Sequence, residues 1–348
     1  MTADHLLHTL RAQGRFCARS GSPMYGELFE RVAVDVAAGG VFAAILAGHE
    51  DDPSRLAVPL RLLGGLHRLV LDGRAAQLRR WYPSTGGSWD AAPAWPEIEA
   101  VAAEHSEALR AALRQPPQTN EVGRSAALIG ALLRVNRESG LPVRLFEIGT
   151  SAGLNLRPDQ YRYRFAGGQW GPADSPVTIS DAWRGALPPG NGVRIVERHG
   201  YDIAPIDVTA ADGEFTVLSY VWPDQTARLE RLRGAIEVAR RAPAPLHRQT
   251  AADAVAGLTP AAGALTVLWH SITWQYLSEE ERDRVRARVR ALGEQADERS
   301  PFVHLTLEPA RDRPDSPIRF LVRARRWPGG ELEIFGECHP HGPPVHWR

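Results

Sequence analysis

The segment from Val143 to Gly153 constrains the fold more than any other part of the chain. It begins with a short apolar run that reaches an acid at Glu147, and Gly149 and Gly153 then flank a turn. Glycine is favoured where the backbone turns tightly or another group comes close, because a Cβ would clash there. The pattern predicts a buried strand that ends in a tight, glycine-containing loop.

The periodicity of apolar residues changes at this segment. Before it, apolar residues recur at three- and four-residue intervals, which predicts helices. These helices are expected over residues 6–16, 25–38, 56–71, 98–113 and 120–138, with a proline-rich loop over 91–96. After it, short apolar runs alternate with helical patterns, which is typical of a parallel sheet. These strands are expected at 193–197, 245–250, 265–270 and 302–308, with a closing hairpin of 318–326 and 331–336.

Two domains are therefore predicted, an all-helical domain over residues 1–138 and an α/β domain over residues 139–348. The 348-residue length agrees with two domains of ordinary size. In the second domain we expect a mainly parallel sheet that ends in the antiparallel hairpin. About forty residues separate the loop from the next predicted strand. This insertion is expected to form a substrate lid or to fill space beside the loop.

Composition narrows the class of partner. The formal net charge is zero, so no long-range field attracts the protein to nucleic acid or to an anionic membrane. No apolar run approaches the roughly 20 residues that a membrane-spanning helix needs. The beginning of the sequence lacks the pattern of a secretory signal. We therefore expect a cytoplasmic protein with a small-molecule partner, and the sequence does not determine its oligomeric state.

The chain contains no lysine, since all 41 basic residues are arginine. Schiff-base chemistry, attachment of pyridoxal phosphate and the lysine of phosphate-binding loops are thereby excluded. Cys17 and Cys338 are too few for a disulfide framework or a four-thiolate zinc site. The run from Cys338 to His346 contains three histidines, but its prolines predict a surface tail, and no metal site is expected.

Four polar and aromatic segments resemble a bacterial family known only as domain of unknown function 2332. They are Pro117-Gln-Thr-Asn-Glu-Val-Gly123, Ser151-Ala-Gly-Leu-Asn-Leu156, Val221-Trp-Pro-Asp-Gln225 and His270-Ser-Ile-Thr-Trp-Gln-Tyr276. The resemblance extends over nearly the full length of the chain. It implies no particular reaction.

A second resemblance covers residues 143–348. The loop resembles the acid-x-Gly-x-Gly-x-Gly motif of class I S-adenosylmethionine-dependent methyltransferases, with Ser151 in place of the middle glycine. This resemblance implies a Rossmann-like sheet, S-adenosylmethionine as the cofactor and methyl transfer to a small molecule. It implies that Gly149, Ser151 and Gly153 face the methionine moiety, with Glu147 behind them. It further implies that Glu197 binds the ribose hydroxyls and that Asp253 binds the adenine amine.

Glu197 and Asp253 can each have an ordinary structural role in place of a cofactor contact. Glu197 can form an ion pair with Arg194 or Arg198, and Asp202 is a second candidate for the ribose. Asp253 can act as a helix cap, a position that Asp favours.

The acceptor side of the expected site lies after the fourth parallel strand. A histidine side chain is suited to act as a general base near neutral pH, so His270 is the expected base, and Ser271 and Tyr276 would border the acceptor. Asp224 and Gln225 would also face the substrate. A buried histidine bonded to a backbone carbonyl is the alternative for His270, and the start of a helix is the alternative for Asp224 and Gln225.

Two other functions remain open from the sequence. A methyltransferase-like fold without catalysis would act as a ligand-binding or scaffold module, which the substitution at Ser151 and the insertion favour. Alternatively, a Rossmann-like enzyme would use another nucleotide such as NAD.

Overall fold

A computed structural model describes residues 2–53, 56–188, 192–313 and 315–348. The chain forms two compact units. The first contains the residues up to Thr119 together with Ala210–Arg233, and the second contains Asn120–Thr209 and Gly234–Arg348. These units differ from the predicted division at residue 138, because residues 120–138 pack with the sheet and residues 210–233 pack with the N-terminal helices.

The first unit is helical, as its periodicity predicts. Its N-terminal helices are α1 (Thr2–Arg19), α2 (Pro23–Ala37), α3 (Val41–Leu46), α4 (Val58–Leu71), α5 (Ala91–Glu104) and α6 (Ser106–Leu113). The expected loop over 91–96 is wrong, because these residues begin α5. The Asp90 side chain accepts the Ala92 N–H and caps this helix. Pro93 lies in the first turn of α5, where backbone N–H groups have no partner within the helix. A proline at this position therefore costs no helical hydrogen bond.

The second unit contains all of the described strands. In chain order, the elements after α6 are α7 (Ser125–Val135), β1 (Val143–Ile148), β2 (Arg162–Phe165), β3 (Gly168–Trp170), β4 (Thr178–Ile179), β5 (Trp183–Gly185), β6 (Ile195–Asp202), α8 (Ala211–Ser219), α9 (Thr226–Arg241), β7 (Leu246–Arg248), α10 (Ala251–Ala256), β8 (Leu265–Ser271), α11 (Glu279–Gln295), β9 (Phe302–Ala310), β10 (Arg319–Trp327), β11 (Leu332–His339) and β12 (Gly342–Trp347). Helix α8 belongs to the first unit, and α9 begins in the first unit and ends in the second.

The main sheet has the strand order β5-β12-β11-β10-β9-β8-β1-β6-β7. The five strands β7, β6, β1, β8 and β9 are mutually parallel, and β9 to β12 form an antiparallel meander. The predicted α/β class, with a mainly parallel sheet and antiparallel C-terminal strands, is confirmed. The chain passes from β1 outward to β6 and β7 and then returns to place β8 on the other side of β1. In open α/β sheets, ligands bind beyond the carboxyl ends of strands at such a reversal.

One face of the parallel strands is covered by α10 and α11. Phe146, Leu268 and Phe302 from the strands form a buried cluster with Val285 and Leu292 of α11. Helix α11 begins with a side-chain cap, since the Ser278 side chain accepts the Glu281 N–H at 3.1 Å. This packing fixes α11 beside the carboxyl ends of β8 and β9.

The insertion over residues 154–192 is a packed part of the second unit. Its strands β2, β3 and β4 form a small sheet, and β5 extends the edge of the main sheet beside β12. Tyr163 and Trp183 are fully buried, with stacked rings 5.6 Å apart. The Trp183 indole N–H donates to the Ala126 carbonyl of α7 at 2.9 Å. These contacts make the described part of the insertion a packed structural element of the second unit.

Candidate functional site

The loop that follows β1 turns through three residues with positive φ. These are Gly149 (68°), Ser151 (53°) and Gly153 (69°). The Thr150 N–H donates to the Tyr201 carbonyl of β6 at 3.1 Å, and the Gly153 N–H donates to the Thr150 carbonyl at 2.9 Å. The tight turn expected from the sequence is therefore present. It lies at the carboxyl end of β1, which is placed between β6 and β8 in the sheet.

Neighbouring side chains explain why both loop glycines are required. A Cβ at Gly149 would overlap the side chain of Thr273, which follows β8. A Cβ at Gly153 would lie 2.6 Å from a methyl group of Leu246, at the start of β7. The glycines let the loop pack against these two strands, so their presence alone does not indicate a bound cofactor.

Glu147 lies buried behind the loop and is held there by Thr150. The Thr150 hydroxyl donates to the Glu147 carboxyl group at 2.7 Å. Burial raises the pKa of Glu147 to about 8, and the opposing effects of the Thr150 hydrogen bond and the Arg124 charge are smaller. Glu147 is therefore mainly neutral at pH 7, and its position behind the loop agrees with the sequence expectation.

The raised pKa of Glu147 makes stability depend on pH. Between its ordinary pKa of 4.5 and about 8, the folded state binds more protons than the unfolded state. The stabilisation from the neutral carboxyl is therefore complete below pH 4.5 and is lost as the pH rises through 8. The free energy of unfolding is expected to fall by about 2–3 kcal/mol between pH 6 and pH 9 through this group.

Glu147→Gln, which keeps the neutral shape, is expected to remove that dependence and to be more stable than the wild type at pH 9. Urea unfolding at pH 6, 7.5 and 9 measures the difference. Parallel profiles for the two proteins would show that Glu147 is not the titrating group.

The acid at the carboxyl end of β6 is Asp202. One of its carboxylate oxygens accepts the Ser151 N–H at 2.9 Å, and the other accepts the Ala204 N–H at 2.9 Å. Asp202 therefore ties the end of β6 to the centre of the loop. It was only the second candidate for the ribose in the sequence analysis.

Glu197 lies too close to the start of β6 to reach the loop, although the predicted ribose contact would require it to do so. The strand runs on to Asp202, and its register pairs Glu197 with Arg144 and Tyr201 with Ile148. Four residues of strand, about 13 Å, separate Glu197 from the level of the loop. Its carboxylate binds the Arg144 guanidinium, whose hydrogen bond lowers the pKa of Glu197. This position does not favour the predicted ribose contact, and the ion pair forms with Arg144 in place of the expected Arg194 or Arg198.

Asp253 lies in the first turn of α10 and forms a capping arrangement. The Thr250 hydroxyl accepts the Asp253 N–H at 3.2 Å and donates to its carboxylate at 2.8 Å. Arg284 of α11 also donates to this exposed carboxylate at 2.9 Å. These contacts favour the alternative of a helix cap over contact with adenine.

The residues assigned to the acceptor are not brought together by the contacts of their side chains. Asp224 accepts the hydroxyl of Ser22 and the N–H of Met24 at 3.0 Å, and Gln225 donates to the Ser20 carbonyl at 2.9 Å. Asp224 therefore holds the start of α2, and Gln225 holds the turn between α1 and α2, both within the first unit.

Ser271 and Tyr276 differ in their surroundings. Ser271 is buried at the end of β8, where its carbonyl accepts from Arg124 at 3.2 Å. The Tyr276 side chain is 74% exposed. Only Ser271 of this pair is therefore fixed beside the loop.

His270 is buried at the end of β8 in a chain of polar groups. Its Nδ1 lies 2.6 Å from Oε1 of Glu308 on β9, and its Nε2 lies 3.0 Å from Nε2 of His304. The same Glu308 oxygen accepts the N–H groups of Thr273 at 3.0 Å and Trp274 at 3.3 Å. Because Glu308 Oε1 already acts as the acceptor for these two N–H groups, we assign a proton to His270 Nδ1, which donates a hydrogen bond to Glu308.

The protonation of His304 follows from these partners. Burial lowers the pKa of His304 well below its ordinary value, so this ring is neutral. The contact between the two Nε2 atoms needs one proton, and we assign it to His304, whose Nε2–H then donates to Nε2 of His270. His270 therefore has no free nitrogen for an acceptor, and His304 is the ring that presents one. The alternative of a histidine bonded to a backbone carbonyl is also not realised, since both partners of His270 are side chains.

A cavity of about 660 Å³ opens beside this chain, between α11 and strands β9 to β11. His270, His304 and Glu308 line one part of it. Thr273 connects the cavity to the loop, because its side chain abuts Gly149 and its N–H binds Glu308. The carboxyl ends of β1, β6, β8 and β9 thus contribute one continuous set of polar groups.

Several contacts around the loop were not predicted from the sequence. The Asn120 side chain accepts the Leu154 N–H at 2.8 Å, and Ser125 donates to the Asn155 side chain at 2.7 Å. Glu308 was detectable, since it is an acid close to the end of a predicted strand, as Glu147 is. The spacing of Gly149-Thr150-Ser151-Ala152-Gly153 also matches Gly-x-Ser-x-Gly, the pattern around a nucleophilic serine.

No cluster of three or more metal-ligating side chains is found within the described ranges. Within the same ranges, no helix has both the length and the apolar character needed to cross a membrane.

Residues 7–347 match the model of a family described as an uncharacterised protein conserved in bacteria, DUF2332. Comparison with curated proteins gave no match. Among solved structures, the CcbJ methyltransferase from Streptomyces caelestis is similar at 16% sequence identity, over 62% of this chain and 71% of that chain. The TM-score is 0.23, and a superposition at this level does not establish a shared fold.

Proposed function

The chain belongs to the uncharacterised bacterial family DUF2332, and we propose that it transfers a methyl group from S-adenosylmethionine to a small molecule. In this proposal, the parallel strands form a Rossmann-like sheet with the cofactor at the point where the strand order reverses. The proposal extends beyond what is known of the family, which carries no assigned reaction.

The observation that carries the proposal is the bond between Asp202 and the loop after β1. A carboxylate at the end of the second parallel strand, beside a turn with positive φ, suits a ligand that bears a ribose. Each carboxylate oxygen has a second lone pair besides the one that accepts a backbone N–H. Two adjacent ribose hydroxyls can donate to these remaining positions. Asp202, Ser151 and the exposed backbone of Gly149 would hold the cofactor.

The fit to the cofactor is supported by part of the residues that the resemblance implied. Glu197 and Asp253 do not support it, because each is bound elsewhere. Asp202 and the loop do support it, and Glu147 contributes as a neutral group behind the loop. When bound, S-adenosylmethionine supplies an electrophilic methyl group on a sulfonium.

The polar chain beside the cavity is suited to remove a proton from an acceptor. His304 would take the proton on Nδ1 and pass its Nε2 proton to His270 Nε2. Glu308, already bonded to His270 Nδ1, would stabilise the imidazolium that forms. Transfer onto His270 would place the positive charge beside Glu308 and away from His304, where burial disfavours it. In this form of the proposal, His304 replaces His270 as the base that faces the acceptor.

Binding of S-adenosylmethionine and S-adenosylhomocysteine by calorimetry tests the cofactor site. Asp202→Ala is expected to weaken binding by at least about tenfold, because hydrogen bonds to a charged group are lost. Glu197→Ala is the matched control, since it removes an acid from the same strand about 13 Å from the loop level. It is expected to bind as the wild type does.

Absence of binding by the wild-type protein to either compound would refute the proposal. If Asp202→Ala and Glu197→Ala weaken binding equally, Asp202 does not contact the cofactor. A response to NAD alone would favour a different nucleotide, and circular dichroism of each variant checks that it is folded.

Ser151 provides a second candidate function, acyl transfer by a nucleophilic serine. It has φ of 53° within a Gly-x-Ser-x-Gly spacing directly after a central strand, as a nucleophile on a strained turn does. The short turn Leu154–Leu156 follows it, in place of the long helix that usually completes this motif. A fluorophosphonate probe is expected to leave the wild type unlabelled under the first proposal. Labelling that is lost in Ser151→Ala would instead favour the second.

A further inference from the structure

The cavity beside α11 has a strongly positive lining. Arg282, Arg286 and Arg290 project from one face of α11, since they are spaced four residues apart. Arg323 and Arg325 lie on one face of β10, where alternate residues point the same way. The described lining thus combines five guanidinium groups with one carboxylate, that of Glu308.

Local partners leave part of this positive charge uncompensated. Arg286 binds the Asp283 carboxylate at 2.8 Å, and Arg282 donates to the Trp274 carbonyl at 3.0 Å. Within the described residues, neither Arg290 nor Arg323 has an ion pair, and the buried Nε of Arg323 has no hydrogen-bond partner. Confined guanidinium groups of this kind concentrate anions in a cleft even when the net charge of the chain is zero.

The Glu308 carboxylate is a second group in the cavity lining that lacks a full set of partners. Glu308 Oε2 is buried and, among the described residues, accepts no hydrogen bond, whereas Oε1 accepts three. Glu308 is 7% exposed and lines the cavity. A buried carboxylate oxygen without a donor is costly, so a donor from the ligand would satisfy it.

The register of the sheet places these groups side by side. Arg323 pairs with Thr306, and Arg325 pairs with His304 on the neighbouring strand β9. Glu308 follows Thr306 by two residues and therefore lies on the same face of β9. Arg323, Arg325 and Glu308 consequently lie on the same face of the sheet, which forms one wall of the cavity.

We propose that this cavity binds a small hydroxylated molecule with at least two negative charges. The arginines of α11 and β10 bind its anionic groups, and its hydroxyl donates to Glu308 Oε2. The volume of about 660 Å³ accommodates a molecule of metabolite size. A phosphate ester and a dicarboxylate share the required chemistry. That this molecule is the methyl acceptor rests on the proposed function, whereas the binding itself does not.

Two matched pairs of compounds test the ligand class by calorimetry at low ionic strength and without S-adenosylmethionine. Malate is compared with succinate, which lacks the hydroxyl, and glycerol 3-phosphate with propyl phosphate, which lacks both hydroxyls. The wild type is expected to bind the hydroxylated member of at least one pair more tightly. The pair that binds more tightly identifies the anionic group as carboxylate or phosphate.

Three single variants test the location. Arg323→Gln and Arg290→Gln are each expected to weaken binding by about tenfold, because each removes a charge-assisted contact. Arg284→Gln is the control on the same helix, since Arg284 binds Asp253 and is absent from the described lining. It is expected to bind as the wild type does.

Three results would overturn the inference. They are absence of binding of all four compounds to the wild type, equal affinity within both pairs, and equal weakening by Arg284→Gln. Because these titrations contain no cofactor, failure of methyl transfer would leave them unaffected.

Discussion

Replacing Glu308 with leucine is expected to lower the free energy of unfolding by about 3–5 kcal/mol, since it breaks a buried charged network. The substitution removes the acceptor for the His270 ring and for the N–H groups of Thr273 and Trp274. These three donors would remain buried without a partner, and each such group costs about 1–3 kcal/mol. Urea unfolding at pH 7.5 measures the loss.

Glu308→Gln is the matched variant, because its amide oxygen still accepts hydrogen bonds in nearly the same volume. It is expected to cost about 1–2 kcal/mol, less than the leucine variant. If the free energy of unfolding of the leucine variant lies within 1 kcal/mol of the wild-type value, the polar chain does not stabilise the fold. Both variants remove the carboxylate, but only Glu308→Leu removes the acceptor. The difference between their free energies of unfolding therefore measures the contribution of the acceptor.

Trp183→Ala is expected to destabilise the protein by about 3–5 kcal/mol, the usual cost of removing a fully buried aromatic side chain. The indole stacks on Tyr163, contacts Phe165 at a ring separation of 4.9 Å and donates a hydrogen bond to α7. A mobile lid would not depend on one such residue. Urea unfolding of the variant therefore tests whether the insertion belongs to the folded core.

Trp183→Phe retains the aromatic stack but loses the hydrogen bond to Ala126. It is expected to cost about 1–2 kcal/mol. A loss below 1 kcal/mol for the alanine variant would show that the Trp183 side chain does not anchor the insertion to the rest of the second unit. Both variants leave the cavity beside α11 unchanged, because Trp183 is not among its lining residues.

The main features of the fold were predictable where apolar residues follow a clear period. The predicted runs at 265–270 and 302–308 coincide with β8 and β9 almost to the residue. Prediction failed where backbone pairing stabilises polar sequence. The segment Arg198-His-Gly-Tyr-Asp202 lacks apolar alternation, yet parallel pairing with β1 and β7 continues β6 through it.

The C-terminal residues show the same limit. The prolines at 343 and 344 indicated a surface tail, but these residues belong to β12. Pairing with β11 occurs at Gly342, His346 and Trp347, so the prolines fall where no ladder bond is required. Sequence spacing alone does not reveal which N–H groups a neighbouring strand will use.

The candidate site was predictable only in its central loop. Glu147, Gly149 and Gly153 follow from local pattern, because one strand and one turn position them. The contacts of Asp202 with Ser151 and of Glu308 with His270 join residues 51 and 38 positions apart. Such pairs depend on strand order, which a single sequence does not specify.

The position of β12 between β11 and β5 has a consequence for synthesis of the protein. On the ribosome, β5 emerges about 160 residues before β12 can pair with it. At bacterial elongation speeds this interval lasts on the order of ten seconds. During that time β5 presents open backbone donors and acceptors to other nascent chains. Chaperone binding close to residue 185 would therefore protect the growing polypeptide most.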